Sequence, residues 1–214
     1  MLYLINKTTT EKNFNSNRQA DFWKNADIAK IKHYHPQSNN YRPLVLLKAL
    51  YDKNYIYVFF NVKEKNPHCT RSKYQNEAYK DSCVEFFVKP KLNKGYFNFE
   101  MGCGGALLLT YIENPQRLSA GGFKKYTKIP KKIGAKTKIQ IKFLKTSWQL
   151  AVSIPLEIME KYIGTIKISK RTVWRGNFYK CADESSRPHW GSWSPIGKEL
   201  NFHCPQFFGK LKFN

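Results

Sequence analysis

Short runs of β-branched and aromatic residues, separated by turn-forming residues, recur along most of the chain. They lie at 44–50, 55–63, 83–89, 96–101, 106–112, 137–144, 148–154, 164–169, 172–180 and 208–213. Runs of this length and composition predict strands. By contrast, the segment 155–162 has proline in its first turn and apolar residues three to four apart, which predicts one short helix ending near Gly164. We therefore expect an all-β, antiparallel β-sandwich or jelly roll with one short helix near 155–163.

The length of the chain and the lack of an internal repeat bear on domain organisation. Its 214 residues suffice to bury a sizeable core, and they show no internal repeat, so we expect a single domain over 1–214. Residues 1–40 are largely polar, and residues 1–20 predict a loosely ordered lead-in with a short strand at 2–5 and Trp23 as its anchor. The first apolar run is too short for a signal peptide, and no stretch approaches a membrane span. We expect a soluble chain, and the sequence predicts no oligomeric state.

The charge balance raises the question of a nucleic-acid partner. The chain has 37 Lys and Arg against 15 Asp and Glu, a net charge of +22. Seven of the 37 are arginine, the residue that grips phosphates bidentately, so the excess is mostly lysine, a common surface residue. The densest cluster, at Lys124, Lys125, Lys128, Lys131, Lys132, Lys136, Lys138 and Lys142, predicts a solvated loop and the strand after it. A basic nucleic-acid or polyanion binder stays a second hypothesis.

Five cysteines, at positions 69, 83, 103, 181 and 204, form no Cys-x-x-Cys pair. Their odd number excludes complete internal pairing. Cys83 and Cys103 lie in strand-like contexts, where a free thiol packs as a small hydrophobic group. Free cysteines and the lack of a visible signal favour a reducing, cytoplasmic location.

The segment 79–90 contains the most informative strand. If its side chains alternate, Val84, Phe86 and Val88 face one way, and Cys83, Glu85 and Phe87 face the other. Glu85 then lies on an otherwise apolar surface, where an unpaired buried carboxylate is costly. Either a cation or backbone donors satisfy it inside the fold, or it lines a wet pocket and accepts hydrogen bonds from a ligand.

Several blocks of the sequence, taken in order, carry a family resemblance. They are Asp81-Ser82-x-Val84-Glu85, the strand before it at 55–63, Tyr96–Glu100, and the carboxyl-terminal blocks at 177–181, 188–190, 193–195, 201–203 and 208–211. Together they resemble the family 9 carbohydrate-binding modules, and especially their stand-alone, family 9-like branch. The resemblance implies a β-sandwich that binds a saccharide without catalysis and serves polysaccharide breakdown. It also implies a structural calcium, although this chain is poor in Asp and has no calcium loop; no other cofactor is expected.

The resemblance also implies a binding site. Sugars offer apolar ring faces that stack on aromatic rings and hydroxyls that hydrogen-bond to carboxylates and amides. Two tryptophans sandwich a terminal sugar in the better-known modules, and Tyr79 and Phe202 stand at the matching places here. The candidate carbohydrate-binding residues are Tyr79, Glu85, Asn98, Glu100, Asn177, Trp190 and Phe202. The carboxyl-terminal residues either build a pocket wall or lock irregular loops by hydrogen bonds; Asp183, His189, Trp193, Asn201 and His203 belong to the same set.

Three enzymatic or metal sets are weaker, and no catalytic residue is predicted. Cys181, Asp183 and His189 are the types needed for thiol catalysis, but no local protease signature surrounds them. A zinc set can be drawn from Cys181, His189, His203 and Cys204. It lacks the closely paired ligands usual for structural zinc. Glu85 and Glu100 could form a glycosidase pair, so glycoside hydrolysis is the third hypothesis.

Overall fold

Two stacked β-sheets form the protein, in a computed structural model that describes residues 1–8 and 19–214. The strands of this part of the chain are β1 Leu2–Lys7, β2 Ala29–Ile31, β3 His33–Tyr34, β4 Leu44–Tyr51, β5 Tyr55–Lys63, β6 Cys83–Lys89, β7 Tyr96–Gly102, β8 Leu107–Arg117, β9 Phe123–Lys128, β10 Lys138–Phe143, β11 Trp148–Pro155, β12 Val173–Cys181, β13 Trp190–Ser192 and β14 Gly209–Phe213. The helices are α1 Gln19–Phe22, α2 Lys131–Gly134 and α3 Leu156–Ile163. Single 3₁₀ turns lie at Ala78–Lys80 and Pro205–Phe207.

The strand order defines the two layers and confirms the predicted sandwich. The β6 sheet runs β1-β14-β12-β6-β7-β8-β9, and the β5 sheet runs β10-β11-β5-β4-β1. Strand β1 joins both sheets, because residues 2–5 pair with β14 and residues 6–7 pair with β4. Both of these pairings are parallel, whereas β6 and β5 pair with antiparallel neighbours. The antiparallel prediction therefore holds apart from β1.

The main hydrophobic core lies between the inner faces of the sheets. Val84, Phe86 and Val88 of β6 belong to it, as do Val45 and Val58 of the opposite sheet. The predicted alternation of β6 is thus confirmed, and the area that these side chains remove from water supplies the main driving force for stacking the sheets. The other side of β6 is covered as well, by smaller hydrophobic clusters that include Phe87 and Cys83.

Three local predictions differ from the structure. The segment 164–169 is not a strand: the backbone N–H of Ile166 donates to Glu160 Oε1 at 2.8 Å instead of to a neighbouring strand. The lysine-rich connection is not a simple loop, because it forms edge strand β9 and helix α2, with its lysines exposed. A further one-turn helix, α1, begins at the end of the predicted lead-in.

The lead-in is anchored where the sequence predicted. Trp23 is buried with Phe22 against Tyr57 on the outer side of the β5 sheet, whereas Asp21 is exposed. The predicted strand at 2–5 is the first part of β1, and the rest of the lead-in, residues 9–18, lies outside the described residues. The single domain stays a prediction. None of the helices in the described part of the chain has the length and apolar character of a membrane-spanning helix.

The prediction that Cys103 is a free thiol is wrong, because Cys103 forms a disulfide with Cys69. The tight turn after β7 places Cys103 beside the loop at 64–79, which Asp81 holds by accepting hydrogen bonds from the backbone N–H groups of Thr70 and Arg71 at 2.6 and 2.7 Å. Cys83, Cys181 and Cys204 are free. The disulfide weakens the argument for a reducing compartment, and the location stays a prediction.

Candidate functional site

A cavity of about 510 Å³ opens on the outer face of the β6 sheet. The lining residues are Gln75, Glu77, Tyr79, Glu85, Asn98, Glu100, Leu108, Thr110, Arg117, Gly122, Phe123, Tyr126, Lys128, Cys181, Asp183, Trp190, Leu200, Asn201, Phe202 and His203. The middle strands of the sheet form its floor, and loops and the β8–β9 hairpin form its walls. Six of the seven candidate residues from the sequence line this cavity.

Strand register assembles the polar floor. Glu85 of β6 lies directly opposite Glu100 of β7, and Asn98 of β7 lies opposite Thr110 of β8. Asn98 and Glu100 share this face because side chains two residues apart point the same way. The pattern along β7 predicted that pair, and the β6–β7 register adds Glu85 to it.

The two floor carboxylates are nearly buried, at 2% exposure for Glu85 and 4% for Glu100. The Cys181 thiol donates to Glu85 Oε1 at 3.0 Å, and Asn98 Nδ2 donates to Glu100 Oε1 at 2.6 Å. Glu85 Oε2, Glu100 Oε2 and Asn98 Oδ1 are buried without a hydrogen-bond partner among the described residues. An unsatisfied buried acceptor costs about 1–3 kcal/mol, so the floor offers three acceptors that a ligand's donors would stabilise.

Burial also changes the protonation of the floor. It raises the pKa of Glu100 to about 8, against the opposing effects of the Asn98 hydrogen bond and the Arg117 charge. Burial and repulsion from Glu100 raise the pKa of Glu85 well above its usual value. Both floor carboxyls therefore lose their protons less readily than exposed glutamates do.

Partly exposed aromatic rings surround the floor. Phe202 stacks on the buried ring of Tyr179, with centroids 4.1 Å apart and planes at 10°. Trp190 is held by a hydrogen bond from its Nε1 to Asp183 Oδ1 at 2.7 Å, and Tyr79 by one from its hydroxyl to Glu77 Oε1 at 2.8 Å. The rings are thus fixed beside a set of polar acceptors.

The β8–β9 hairpin supplies lining residues that the sequence reasoning missed. The Arg117 guanidinium lies 4.2 Å from the centroid of the Phe123 ring, and Tyr126 and Lys128 continue the same wall. This segment had been interpreted as part of a lysine-rich loop. Register shifts between Ile112 and Arg117 break the two-residue pattern that would have linked Arg117 to the floor. The two aromatic residues among these lysines, Phe123 and Tyr126, were the available signal.

Asn177, the seventh candidate residue, does not line the cavity. It is fully buried, its Nδ2 donates to Ser194 O at 2.9 Å, and its Oδ1 accepts from Ser194 N at 2.9 Å, so it ties β12 to the following segment. His189 likewise lies away from the cavity, with its Nε2 3.9 Å from Glu64 Oε1. Both alternatives for the carboxyl-terminal residues are therefore realised: Asp183, Trp190, Asn201, Phe202 and His203 line the cavity, whereas Asn177, His189 and Trp193 lie outside its lining.

The thiol and zinc sets that were weaker alternatives from the sequence are not assembled as such. Cys181 hydrogen-bonds to Glu85, whereas His189 faces Glu64. His203 Nδ1 hydrogen-bonds to the Tyr96 hydroxyl at 2.9 Å, and burial and the Arg117 charge lower its pKa to about 3. His203 is therefore a neutral part of the cavity wall.

Comparison with known proteins bears on this site. The sequence model of the family described as carbohydrate-binding family 9 matches residues 18–213. No curated protein matches the chain.

Among solved structures, a Bacteroides uniformis protein described provisionally as carbohydrate-binding is 24% identical, with a TM-score of 0.83 over 100% of this chain and 99% of that one. A family 9 carbohydrate-binding module from Caldicellulosiruptor kristjanssonii, in complex with glucose, is 16% identical, with a TM-score of 0.69 over 100% of this chain and 96% of that one. Its complex with cellotriose gives 16% identity and a TM-score of 0.68, over 100% and 93%. At these identities the likeness shows a common fold.

Proposed function

The chain belongs to carbohydrate-binding family 9, and from this premise we propose that the cavity on the β6 sheet binds a saccharide and leaves it intact. The residues proposed to contact the saccharide are Tyr79, Glu85, Asn98, Glu100, Trp190 and Phe202. Asn177, the seventh candidate, is proposed to support the site by fixing β12. Two similar structures hold glucose and cellotriose, so neutral gluco-oligosaccharides are the first ligands to test.

One observation carries this proposal: three buried oxygen atoms that have no hydrogen-bond partner among residues 1–8 and 19–214 lie on a floor bordered by partly exposed aromatic rings. A sugar ring matches both features, because its hydroxyls donate hydrogen bonds and its C–H faces stack on aromatic rings. The stacking of Phe202 on Tyr179 covers one face of Phe202 and leaves the ring fixed for contact on its other side.

Hydrolysis is disfavoured because Glu85 and Glu100 have similar environments. A glycosidase needs one carboxyl protonated as general acid and the other ionised as nucleophile or base. Here burial raises the pKa values of both Glu85 and Glu100, so the environment moves the two carboxyls in the same direction rather than apart. We therefore propose binding without bond cleavage, in the service of polysaccharide breakdown by other proteins.

A second candidate, polyanion binding, has one observation in its favour. Arg117 and Lys128 line the same cavity, and Lys124 and Lys125 are exposed on the adjoining edge strand. When this wall binds an anionic glycan or a nucleic acid, its cations would displace counterions from the polyanion, so the affinity would fall steeply with salt.

Calorimetric titrations with glucose, cellotriose, heparin and single-stranded DNA, each at low and moderate salt, separate these candidates. We expect saturable cellotriose binding that is insensitive to salt, with cellotriose recovered intact. Glu85→Gln should weaken this binding by roughly 10–100-fold, the loss expected for hydrogen bonds to a charged or polarised group of about 1.5–3 kcal/mol. Binding restricted to the polyanions would overturn the proposal, as would release of shorter sugars.

A further inference from the structure

Two thiols and a carboxylate converge at the floor of the cavity. Cys83 of β6 lies directly opposite Cys181 of β12, and Glu85 follows two residues after Cys83 on the same face. All three are at least 98% buried. The two thiol sulfurs and a Glu85 carboxylate oxygen lie within 4.8 Å of one another, and Cys181 Sγ is 3.0 Å from Glu85 Oε1. Saccharide binding as proposed above makes no use of Cys83.

We propose that Cys83, Glu85 and Cys181 form a binding site for a thiophilic divalent cation, with Zn²⁺ as the best match. In a tetrahedral site with Zn–S bonds of about 2.3 Å and Zn–O bonds of about 2.1 Å, the ligand atoms are roughly 3.6 Å apart. The spacing within the cluster, from 3.0 Å to at most 4.8 Å, brackets this value. Ca²⁺ and Mg²⁺ prefer oxygen ligands, so two thiolates select against them.

The surroundings support a bound ion rather than an ordinary packed cluster. Glu85 Oε2 is buried without a partner among the described residues, and a cation at this place would satisfy the carboxylate. Glu85 and Cys181 line the cavity, which leaves the fourth coordination position open to water or to a ligand hydroxyl. The site is thus a three-ligand site with an open position, reached through the cavity.

Protonation sets how tightly such a cation binds. Burial raises the pKa of Cys83 to about 11 and the pKa values of Cys181 and Glu85 well above their usual range. The carboxyls of Glu100 and Asp183 oppose ionisation of the cluster, whereas the Lys180 ammonium favours it. Binding therefore displaces up to three protons, and the affinity should rise with pH.

Titration with Co²⁺, followed by displacement with Zn²⁺, tests the site, because thiolates give bound Co²⁺ a charge-transfer band. The protein is first checked by mass spectrometry for an intact Cys69–Cys103 disulfide and three free thiols. We expect one Co²⁺ per chain and a thiolate band that Zn²⁺ removes. Cys83→Ser and Cys181→Ser should each weaken binding by at least roughly 100-fold, since even supporting residues of metal sites contribute 10–100-fold. Cys204→Ser, which alters a free thiol outside the cluster, should leave the titration unchanged.

Glu85→Gln keeps both thiols and the side-chain shape, so it serves if the serine variants lose their near-ultraviolet circular dichroism. It should weaken Co²⁺ binding and keep the thiolate band. A wild-type protein with free thiols but no band would overturn the assignment, as would a band that survives in Cys83→Ser and Cys181→Ser, or a Cys83–Cys181 disulfide that persists under mild reduction. The assay contains no sugar, so Zn²⁺ binding without saccharide binding would count against the proposed function alone.

Discussion

Two groups of buried carboxyls lie on opposite sides of the β6 sheet and behave in opposite ways. On the inner side, Glu64 Oε2 accepts from Trp148 Nε1 at 2.9 Å and lies 3.3 Å from the Lys180 ammonium. On the outer side, Glu85 and Glu100 each have one oxygen that finds no partner in the part of the chain that the structure describes. Exposure does not distinguish them, since all three are 2–4% exposed. The difference lies in their partners. Glu64 is paired with Lys180 and Trp148 inside the fold, whereas Glu85 and Glu100 each have an oxygen that can accept a hydrogen bond from a ligand.

The pKa values follow the same division. Burial alone would raise the pKa of Glu64, but the Lys180 charge and the Trp148 hydrogen bond outweigh it and lower that pKa. The pKa of Glu100 is raised to about 8, because the hydrogen bond from Asn98 and the Arg117 charge do not offset its burial. The inner group is therefore an ion pair that stabilises the fold, and the outer pair is a source of strain that a ligand can relieve.

The largest expected effect compares Glu64→Ala with Glu85→Ala. Removing Glu64 leaves the fully buried Lys180 ammonium without its counter-charge, and breaking such a pair typically costs about 3–5 kcal/mol. Removing Glu85 should change the free energy of unfolding by less than about 1 kcal/mol, because it eliminates an unsatisfied acceptor beside an existing cavity. Urea unfolding at neutral pH measures both. If both variants lose the same free energy of unfolding, the inner and outer carboxyls do not differ in their contribution to stability.

The second test is the dependence of stability on pH, where the two groups should give slopes of opposite sign. The raised pKa of Glu100 means that its contribution to stability is fully present below about pH 4.5 and is lost as the pH rises towards about 8. The lowered pKa of Glu64 gives a contribution that is present above pH 4.5 and is lost as the solution becomes more acidic. His189, with its pKa lowered to about 4, adds to the loss as the pH falls from 6.5 to 4.

Each slope is assigned by a variant. Glu100→Gln should remove most of the decline in stability between pH 5 and 8, an effect on the order of a few kcal/mol, and should leave the acid side unchanged. Unfolding free energies from urea titrations across this range supply the measurement. A decline that persists in Glu100→Gln and in Glu85→Gln would show that the outer carboxyls ionise normally.

The sequence predicts which face of β6 carries Glu85, but it does not predict what Glu85 contacts there. Alternation along β6 placed Glu85 opposite the core-facing Phe86, because a side-chain period of two is a local property. Whether Glu85 would meet a cation or a cavity depended on which strands lie beside it. The neighbour that decides, Cys181, is 96 residues away in sequence, and no local pattern encodes that pairing.

The remaining misses have similar physical causes. The sequence does not reveal Arg117, because the irregular register of the β8–β9 hairpin breaks the two-residue pattern. It does not reveal the disulfide of Cys103, because the partner cysteine lies in a loop without regular structure. Asn177 fitted the family-like pattern, yet only the fold shows that its amide is used by Ser194. Local periodicity thus predicts faces, and long-range contacts decide what each face meets.

A third test compares two buried asparagines, Asn177 and Asn98. The Asn177 amide is hydrogen-bonded within the fold, whereas the Asn98 amide lies on the cavity floor. Asn177→Ala removes both hydrogen bonds to the Ser194 backbone and should lower the free energy of unfolding by about 1–3 kcal/mol. Asn98→Ala removes a single bond to Glu100 and should cost less stability while weakening saccharide binding. Thermal unfolding and calorimetric titration with cellotriose distinguish the two. A larger loss of stability in Asn98→Ala would place it with the inner, structural group.

The smallest effect concerns the aromatic wall. Phe202 stacks on Tyr179 and lines the cavity, whereas Phe207, five residues later, is exposed and outside the lining. Phe202→Leu keeps an apolar side chain but loses ring stacking, worth about 0.5–1.5 kcal/mol, so cellotriose affinity should fall by roughly two- to tenfold. Phe207→Leu should leave the affinity unchanged. If both variants bind like wild type, the polar floor alone holds the ligand, and the rings around the outer carboxyls serve packing, as the aromatic residues of the inner side do.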